Sequence, residues 1–586
     1  MRFLGNVLAT IVGLFVFLMM FFFGIILIGV LFGGETEEIS VKSNSVIELN
    51  MENIQNDYAG KYKDPWVTIL ADGEKVGLSD IINAIESAKT DNDIKGISIL
   101  NDNSDLGVAQ YKALRDALES FKKSGKFVMA YANSYSQKEY YLNSVANTIY
   151  INPVGDLDFK GLSAELMFFK DLQDKTGVKM EVIRHGKYKS AVEPFLDNKM
   201  SEANREQISS LLNTVWSSVL VDISKSRTIS VAKLNEIANG LLARTPEMAK
   251  FEKLVDVVAY EDEYHNALRK ILKIDKDEDY NKVSVLDYAR KVGTTSESFD
   301  AKDKIAIIYA QGEIMSGEGD VNTIGEGSMN RSLIEARKDK NIKAIVLRID
   351  SPGGNALTSD LIWREIELTK KVKPVVVSMG NYAASGGYYI ACNANKIFAE
   401  NNTITGSIGV FGILPNFHQL ATKIGIHTEQ VRTNENASEY SPFLPLDEKF
   451  KAVTLEGVEQ IYKTFVAHVA AGRKMSIAQV DSIAQGRVWS GSQALKIGLV
   501  DKIGGLDDAI KEAASLSKTK KFSTQNFPEF EKDIYDVLEN LPFAKTKESF
   551  IKEELGEETY RIMEQIKRMQ SQKGVQAILP FEITIH

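Results

Sequence analysis

The sequence predicts an α/β protein made of two copies of one domain in tandem. Apolar strand-like runs such as Lys343–Ile349 alternate with helical patterns such as Asp360–Lys370, which is typical of βαβ units with mostly parallel sheets. Between Ile94 and Phe195, adding 248 to a residue number repeatedly reaches the same residue type. The matched pairs include Asp102 with Asp350, Asn133 with Asn381, Tyr140 with Tyr388, Gly161 with Gly409, Gly177 with Gly425, Arg184 with Arg432 and Phe195 with Phe443. A period of this length excludes a solenoid and indicates a duplicated domain.

Length and composition are those of a globular protein of several domains. The chain has 586 residues, of which 44% are hydrophobic and 25% are charged. Its formal net charge of −9 offers no basic surface for nucleic acid. Cys392 is the one cysteine, so the chain forms no internal disulfide, and we expect this side chain to pack in a core.

The N-terminus carries a candidate membrane anchor. Val7–Phe32 contains 26 residues with Thr10 as its one polar side chain. As a helix it would span about 39 Å, against a hydrocarbon core of about 30 Å. The apolar run is too long for a cleavable signal peptide, so we predict an uncleaved transmembrane helix. Because Arg2 precedes it and the acidic stretch Glu35–Glu38 follows it, we expect a cytoplasmic N-terminus and an external remainder.

The repeat divides the chain into four predicted segments. Residues 1–34 form the cytoplasmic N-terminus and the anchor, residues 35–295 the first repeat and residues 296–520 the second. The polar stretch Ser296–Lys304 is the predicted link between the repeats. Residues 521–586 are charged and biased towards helix, with an amphipathic run around Tyr560–Met569. A solvated or docking helix is the expected role of this tail.

The second repeat contains a candidate nucleophile. The β-branched run Val375–Val377 ends at Gly380, and a helical pattern begins at Tyr388, which predicts a strand, a turn and a helix. Ser385 lies at the turn among the small residues Ala383–Gly387. Small neighbours leave a hydroxyl at a helix N-terminus open to substrate, as acyl transfer requires. The alternative is a packing contact of small residues between helix and sheet.

Differences between the two repeats suggest one composite site. Ser385 corresponds to Gln137, and Gly353–Gly354 have no glycine counterparts in the first repeat. Lys189 corresponds to Ala437, so this amine is present in the first repeat alone. Each repeat therefore lacks the group that the other has: the second keeps the serine hydroxyl and the first keeps the lysine amine. This pattern indicates that the two repeats have lost complementary parts of one site.

A serine hydroxyl needs a base to act as a nucleophile at neutral pH. None of the six histidines recurs at the matching position of the other repeat or lies in a stretch that looks built around it, so surface or core roles are expected for them. A lysine can be the base if apolar burial lowers its pKa. Lys189 stands in Gly186–Phe195 with several apolar neighbours, although a lysine in such a stretch is more often a surface residue.

Five stretches together resemble the signal peptide peptidase A family, peptidase family S49, in its long, duplicated, membrane-anchored form. They are YKSAVEPF (Tyr188–Phe195), RIDSPGG (Arg348–Gly354), MGNYAASGGYYIA (Met379–Ala391), TGSIGVFG (Thr405–Gly412) and GRVWSGSQALKIGLVD (Gly486–Asp501). The resemblance covers nearly the whole chain, the anchor included.

The resemblance implies a serine–lysine peptidase with tandem Clp-protease/crotonase-like domains, assembled as a bowl-shaped homotetramer. It implies that Ser385 is the nucleophile, Lys189 the general base and Ser407 the hydroxyl that orients the lysine amine. From the chemistry of the oxyanion we add the backbone N–H groups of Gly354 and Gly386 as its donors. The stretch around Gly354 also fits a β-turn, and both roles are compatible.

The implied substrates are remnant signal peptides left in the membrane after preprotein cleavage, so the partners are apolar peptides and membrane lipid. The implied location is the bacterial inner membrane, crossed once, with the catalytic region in the periplasm. Nothing in the sequence indicates a metal or another cofactor, since it lacks a phosphate-binding P-loop and a His/Cys ligand spacing.

The residues alone leave two other functions open. A crotonase-like architecture also supports acyl-CoA chemistry, although an external domain would be separated from cytoplasmic CoA. A non-catalytic membrane scaffold of the same fold is the second alternative, and the joint presence of Ser385, Lys189 and Ser407 argues against it.

Overall fold

A computed structural model describes most of the two repeats and part of each terminus. The described residues are 39–52, 54, 56–63, 76–100, 104, 106–296, 301–437, 440–531 and 576–578, together with 6, 10, 12–20 and 23–24 near the N-terminus. Most of the predicted anchor Val7–Phe32 therefore lies outside the described residues, as does the predicted amphipathic run Tyr560–Met569. Across the ranges given above, no helix combines the length and the apolar character needed to cross a membrane.

The first repeat alternates strands and helices. Its strands are β1 (Ser45–Leu49), β2 (Lys61–Tyr62), β3 (Ile94–Leu100), β4 (Phe127–Ala132), β5 (Thr148–Ile151), β6 (Lys179–Arg184), β7 (Val257–Val258) and β8 (Lys282–Ser284). Its helices are α1 (Leu78–Ala88), α2 (Val108–Lys122), α3 (Gln137–Asn143), α4 (Lys170–Thr176), α5 (Glu193–Leu196), α6 (Glu202–Arg227), α7 (Val231–Gly240), α8 (Pro246–Phe251), α9 (Glu261–Leu272) and α10 (Val285–Ser296).

The second repeat follows the same pattern. Its strands are β9 (Lys304–Gln311), β10 (Glu313–Ile314), β11 (Thr323–Ile324), β12 (Ile342–Ser351), β13 (Gly353–Asn355), β14 (Val375–Ala384), β15 (Lys396–Ala399), β16 (Ile404–Gly406), β17 (Phe411–Asn416), β18 (Val488–Ser490), β19 (Lys502–Ile503), β20 (Ser523–Phe527), β21 (Glu529–Phe530) and β22 (Gln576–Ile578). Its helices are α11 (Glu326–Lys338), α12 (Ala356–Lys370), α13 (Gly386–Ala391), α14 (His418–Lys423), α15 (Glu448–Arg473), α16 (Ile477–Ile483), α17 (Gly491–Lys496) and α18 (Leu506–Leu516).

The structure confirms the duplication at the level of elements and of single contacts. Helices α2 and α12 are offset by 248 residues at both ends, and so are strands β5 and β15. Lys95 Nζ donates to the carbonyl oxygen of Asn92 at 2.9 Å, and Lys343 Nζ donates to that of Lys340 at 2.9 Å. The two halves therefore share one α/β fold.

Each half is built on a mainly parallel sheet covered by helices. The first sheet has the strand order β7-β5-β4-β3-β1-β8, and the second has β18-β16-β14-β12-β9-β20 with β15 beside β14. Ile97 and Ile149 are fully buried in the first core, and Leu347 and Val377 are fully buried in the second. Strands covered on both faces are apolar along their length, as these are.

A third sheet joins the two halves. Its strand order is β11-β10-β13-β22-β17-β6, and β6 is the member that the first half supplies. Strand β6 pairs antiparallel with β17 over six residues, from Lys179 opposite Asn416 to Arg184 opposite Phe411. The chain that follows β6 is thereby brought to the second half.

Two expectations from the sequence need correction. The strand expected to end at Gly380 continues to Ala384, because the chain bulges and then resumes its pairing. The helical tail expected from residue 521 instead begins with strands β20 and β21, whose residues Phe527 and Phe530 are buried against the core. Two buried aromatic rings stabilise this segment as part of the domain.

Candidate active site

Ser385 lies at a strained turn between β14 and α13. Its backbone angles are φ 54° and ψ −113°, outside the regions that a serine ordinarily adopts. The backbone N–H of Ser385 donates to the carbonyl oxygen of Gly406 at 2.8 Å, so neighbouring strand β16 holds the turn. Backbone strain of this kind persists where the surrounding structure fixes it, and it is concentrated at functional sites.

A β-bulge precedes this turn. Ile349 lies opposite Met379 and Ser351 lies opposite Ala383, so Asp350 of β12 faces three residues of β14. Bulges of this kind bend a strand and re-aim the side chains that follow.

Asp350 holds the bulge in place. Its carboxylate accepts the backbone N–H of Tyr382 at 2.9 Å and Nδ2 of Asn381 at 2.9 Å. Burial, followed by the nearby charge of Asp57, raises the pKa of Asp350 to about 7. The carboxylate thus ties the end of β12 to the strand that carries Ser385.

The same network reaches into the first half. Asn381 Oδ1 accepts the backbone N–H groups of Ala109 and Gln110 at 3.1 and 3.2 Å, at the start of α2. Gln110 Nε2 donates to Asp57 Oδ1 at 3.0 Å, and the other oxygen of Asp57 accepts Arg348 Nε at 2.6 Å. The bulge beside Ser385 is therefore positioned by both halves.

Lys189 reaches the site from the loop after β6. It directly precedes a short 3₁₀ turn at Ser190–Val192. The backbone N–H of Tyr188 donates to the carbonyl oxygen of Gln485 at 2.9 Å, which docks the loop on the second half. Gly486 lies against this loop with φ +80°, and a Cβ there would come within 2.7 Å of the Lys189 backbone.

The structure brings the three candidate residues together within one chain. Lys189 Nζ lies 2.8 Å from Ser385 Oγ, 3.0 Å from Ser407 Oγ and 3.3 Å from the Ser407 carbonyl oxygen. All three residues are 0% exposed. An amine between two hydroxyls has the arrangement that proton transfer from serine to lysine requires.

The surroundings favour the neutral amine of Lys189. Its polar neighbours are hydroxyl and carbonyl oxygens, and the ring of Phe411 lies 5.8 Å from Nζ. Burial lowers the pKa of Lys189 well below its usual value. A neutral amine is an acceptor and can take the proton of a hydroxyl.

The two proposed oxyanion donors flank Ser385. Gly386 opens α13, where the first N–H groups have no acceptor within the helix. Gly354 lies in β13, which α13 contacts, and has φ +154°. A Cβ at Gly354 would lie 2.1 Å from the carbonyl oxygen of Ile314, so glycine is required at this crossing.

A segment of the C-terminus lies beside the site. Strand β22 pairs antiparallel with β13, with Gly354 opposite Ala577, and its Gln576 lies opposite Phe411 of β17. The gap between β13 and β17 therefore accommodates an extended chain that completes the third sheet.

In the first half, a glutamine side chain occupies the position that corresponds to Ser385. Gln137, at the position of Ser385, donates from Nε2 to the carbonyl oxygen of Gly161 at 3.0 Å and accepts the Gly161 N–H at 2.9 Å. Ala437, at the position of Lys189, is exposed. Among the described residues, each chain therefore has one complete set of the serine, the lysine and the second serine.

Sequence reasoning missed the residues that support the lysine. Gly486 and Phe411 both appear in the motifs quoted above, but without a role, because their contacts with Lys189 arise through tertiary packing. Among the residues that the structure describes, no cluster of three or more histidine, cysteine or carboxylate side chains could hold a metal ion.

Comparisons with known proteins show the family of this chain. The family model "Peptidase family S49" matches residues 120–275 and 367–520. "Protease 4" of Haemophilus influenzae is 38% identical over 453 residues, covering 75% of this chain and 73% of the relative. "Serine protease SPPA, chloroplastic" of Arabidopsis thaliana is 34% identical over 483 residues, covering 80% of this chain and 70% of the relative.

A solved structure of a ClpP1 mutant from Listeria monocytogenes is 17% identical to this chain. The match covers 37% of this chain and 98% of the ClpP1 chain, with a TM-score of 0.25. The family match and the two relatives carry the assignment, since both relatives are covered over more than two thirds of their length. The chain belongs to peptidase family S49, whose domain it contains twice, and it is a serine peptidase.

Proposed function

We propose that the chain is a membrane-tethered endopeptidase in which Lys189 activates Ser385, and that it degrades remnant signal peptides after preprotein processing. The observation that carries this proposal is the 2.8 Å approach of Lys189 Nζ to Ser385 Oγ in a fully buried setting. A base within hydrogen-bond reach of a hydroxyl is the signature of an activated serine nucleophile.

The mechanism follows from the positions of these groups. Neutral Lys189 removes the proton of Ser385, and the alkoxide attacks the substrate carbonyl carbon. The N–H groups of Gly354 and Gly386 stabilise the oxyanion that forms. The Lys189 ammonium then donates its proton to the amine that leaves the substrate. This step regenerates the neutral Lys189 amine, which activates the water that hydrolyses the acyl-enzyme. Ser407 keeps Nζ directed at Ser385 without adding charge.

The substrate binds as an extended strand in this proposal. The pairing of β22 with β13 supports it, because that gap already accepts an antiparallel strand beside Gly354. Strand addition supplies backbone hydrogen bonds that do not depend on sequence, and so it suits peptides of varied composition. A Clp-protease/crotonase-like arrangement of each half is part of the same proposal.

The proposed location is the bacterial inner membrane, with one N-terminal span and the two repeats in the periplasm. The apolar side chains at 12–20 support this, since that helical stretch is exposed throughout. Exposed apolar surface of this extent is characteristic of contact with lipid or another protein. The proposed assembly is a homotetramer, and the proposed partners are signal peptides and membrane lipid.

Hydrolysis of a synthetic signal peptide by the full chain in detergent tests the proposal. We expect Ser385→Ala and Lys189→Met each to lower kcat/KM by about 10²-fold or more, as loss of a nucleophile or its base does. Lys187→Met is the matched control, because Lys187 is exposed two residues away. A polar peptide of equal length tests the preference for apolar substrates.

Full activity in Lys189→Met would refute the role of Lys189 as the base, and the assignment as a serine peptidase would stand. Equal cleavage of the apolar and polar peptides would refute the signal-peptide assignment. If the wild-type protein cleaves neither peptide, the scaffold function takes precedence.

A further inference from the structure

A buried glutamine on α6 contacts the residues on both sides of Lys189. Gln207 is 1% exposed. Its Nε2 lies 3.2 Å from the carbonyl oxygen of Tyr188 and 2.6 Å from Ser190 Oγ. These two residues immediately precede and follow the lysine. Burying an amide is costly unless its polar atoms are hydrogen-bonded, and the loop that carries the lysine supplies two of its partners.

The same side chain reaches the second half. The backbone N–H of Val488 in β18 donates to Gln207 Oε1 at 3.4 Å. Val488 lies opposite Gly406 in the pairing of β18 with β16. The carbonyl oxygen of Gly406 accepts the backbone N–H of Ser385 at 2.8 Å. Gln207 therefore links the loop that carries Lys189 to the strands that hold the turn at Ser385.

The residue before Val488 extends this link to Ser407. The carbonyl oxygen of Arg487 accepts the backbone N–H of Ser407 at 2.7 Å. The guanidinium of Arg487 lies over the ring of Tyr188, 4.9 Å from its centroid, and its Nη1 donates to the Tyr188 hydroxyl at 3.2 Å. The loop is thus held by the buried amide of Gln207 and by a half-buried guanidinium.

Apolar packing and a polar chain fix the position of Gln207 on α6. Leu211, one helical turn later on the same face, is buried in a cluster that includes Ala384, the last residue of β14. Asn204 Oδ1 lies 3.1 Å from Gln207 Nε2, and Asn204 Nδ2 donates to Glu193 Oε2 at 2.7 Å. One face of α6 therefore packs on the strand of the nucleophile and on the segment that follows the lysine.

Comparison of the two repeats associates this glutamine with the lysine. Helices α6 and α15 both contain 26 residues and correspond at an offset of 246 residues. The counterpart of Gln207 is then Val453, which is 62% exposed. That half has Ala437 at the position of Lys189. The buried amide is therefore present in the repeat that keeps the lysine, and its counterpart in the other repeat is an exposed apolar side chain.

We propose that Gln207 is a positioning residue for Lys189, because it fixes the residues on both sides of the lysine and joins them to β18. These bonds keep Nζ between Ser385 and Ser407. Without them the loop is free to move away from Ser385, and water enters beside the amine. The inference deepens the proposed function, since it rests on Lys189 being the base.

Burial is the property of Lys189 that a displaced loop would change. The charged and titratable side chains on the elements around the loop are Arg184, His185, Lys187, Glu193, Glu206 and Arg487. Burial, with no contribution from these groups, lowers the pKa of Lys189. Water beside the amine would stabilise the ammonium, so a loosened loop raises the pKa of Lys189.

Gln207→Met tests this role, because methionine has the length of glutamine and lacks its amide. We expect kcat for the synthetic signal peptide to fall about tenfold or more, since a small misplacement of a catalytic group is costly. KM should change little, because β13, with which the substrate pairs in the proposed function, lies outside these contacts. The ascending limb of the pH profile should move to higher pH. Arg205→Met, at an exposed position of α6, is the matched control and should keep the wild-type kcat and limb.

The pH profile separates positioning from a general loss of folded protein. A smaller folded fraction, measured by circular dichroism at each pH, lowers the rate in proportion and leaves the limb in place. An unmoved limb in folded Gln207→Met would overturn the proposal. A kcat equal to that of the control would overturn it as well.

Ser190→Ala provides the same measurement if Gln207→Met does not fold. This variant removes one partner of the Gln207 amide and leaves the contact with Tyr188 in place. The limb should move in the same direction by a smaller amount, and an unmoved limb would then overturn the proposal. A wild-type profile without an ascending limb would instead refute Lys189 as the base, so the two failures are distinguishable.

Discussion

At the residue scale, the Lys189 amine is fully buried, and its polar neighbours among the described residues are uncharged. Its neighbours are the hydroxyls of Ser385 and Ser407 and a backbone carbonyl oxygen. Hydroxyls accept or donate as the proton moves, so they support both states of the lysine at little cost. A carboxylate in their place would hold the lysine protonated and would prevent it from acting as a base.

The pH dependence of activity follows from this burial. Because the pKa of Lys189 is lowered well below its usual value, the neutral amine becomes populated as the pH rises through that lowered pKa. We therefore expect kcat/KM to rise with pH along one ascending limb within pH 6 to 9. The measurement is a profile for the synthetic signal peptide, with stability checked at every pH. A flat profile over that range would contradict the role.

The lowered pKa of Lys189 also predicts how this residue affects the stability of the folded chain. An unfolded chain binds the lysine proton more tightly than the folded chain does, so protonation favours unfolding below the usual lysine pKa. Lys189→Met should consequently melt at a higher temperature than the wild type at neutral pH. The difference should narrow as the pH rises towards about 10.5.

The sequence was sufficient to propose Ser385 and Lys189, because each differs from its counterpart in the other repeat. The bulge held by Asp350 could not be predicted. It depends on contacts of Asn381 with Ala109 and Gln110, which are far away in the sequence and meet the bulge through packing of the two halves.

At the scale of elements, β6 delivers the lysine by joining a sheet that belongs to the other half. Its pairing with β17 fixes the loop that follows, and Gly486 allows that loop to approach closely. The distance between Lys189 and Ser385 is therefore set by strand pairing and by one tight backbone contact.

We expect Gly486→Ala to lower kcat/KM more than tenfold. A Cβ would come within 2.7 Å of the backbone of Lys189, and φ +80° disfavours alanine, so the loop must move. Gly412→Ala is the control, since a Cβ at Gly412 in β17 meets no atom within 4 Å. Equal activities of the two variants would show that the loop tolerates displacement.

Periodicity predicted the long elements of each half. The pattern at Asp360–Lys370 falls within α12. Strand β20 was missed because its run of polar residues lacks alternation, and it is recruited by pairing with β9. Strand pairing at a sheet edge depends on the neighbour as much as on the segment itself.

At the scale of the whole molecule, one buried ion pair links the halves beneath the site. Arg348 Nε lies 2.6 Å from Asp57 Oδ2, and Arg348 also donates to Ser378 and to the Met379 carbonyl oxygen. Removing one partner of such a pair strands a buried charge. The relative placement of the halves, and with it the composite site, thus depends on contacts that no single repeat could make.

If substrate binds between β13 and β17 as proposed, β22 is its intramolecular competitor. A peptide entering the gap between β13 and β17 must displace Gln576–Ile578, which is tethered and therefore present at a high effective concentration. The apparent KM is then raised by the fraction of time for which the gap is filled.

Deleting residues 576–586 should therefore lower KM severalfold with little change in kcat. Deleting residues 579–586 alone retains β22 and is the matched control. A free peptide with the sequence of residues 573–581 should inhibit the shortened enzyme competitively. Identical KM values for the two deletions would exclude this competition. A lower KM for the chain that lacks residues 576–586 would mean that the enzyme's own β22 sets the peptide concentration at which the enzyme becomes active.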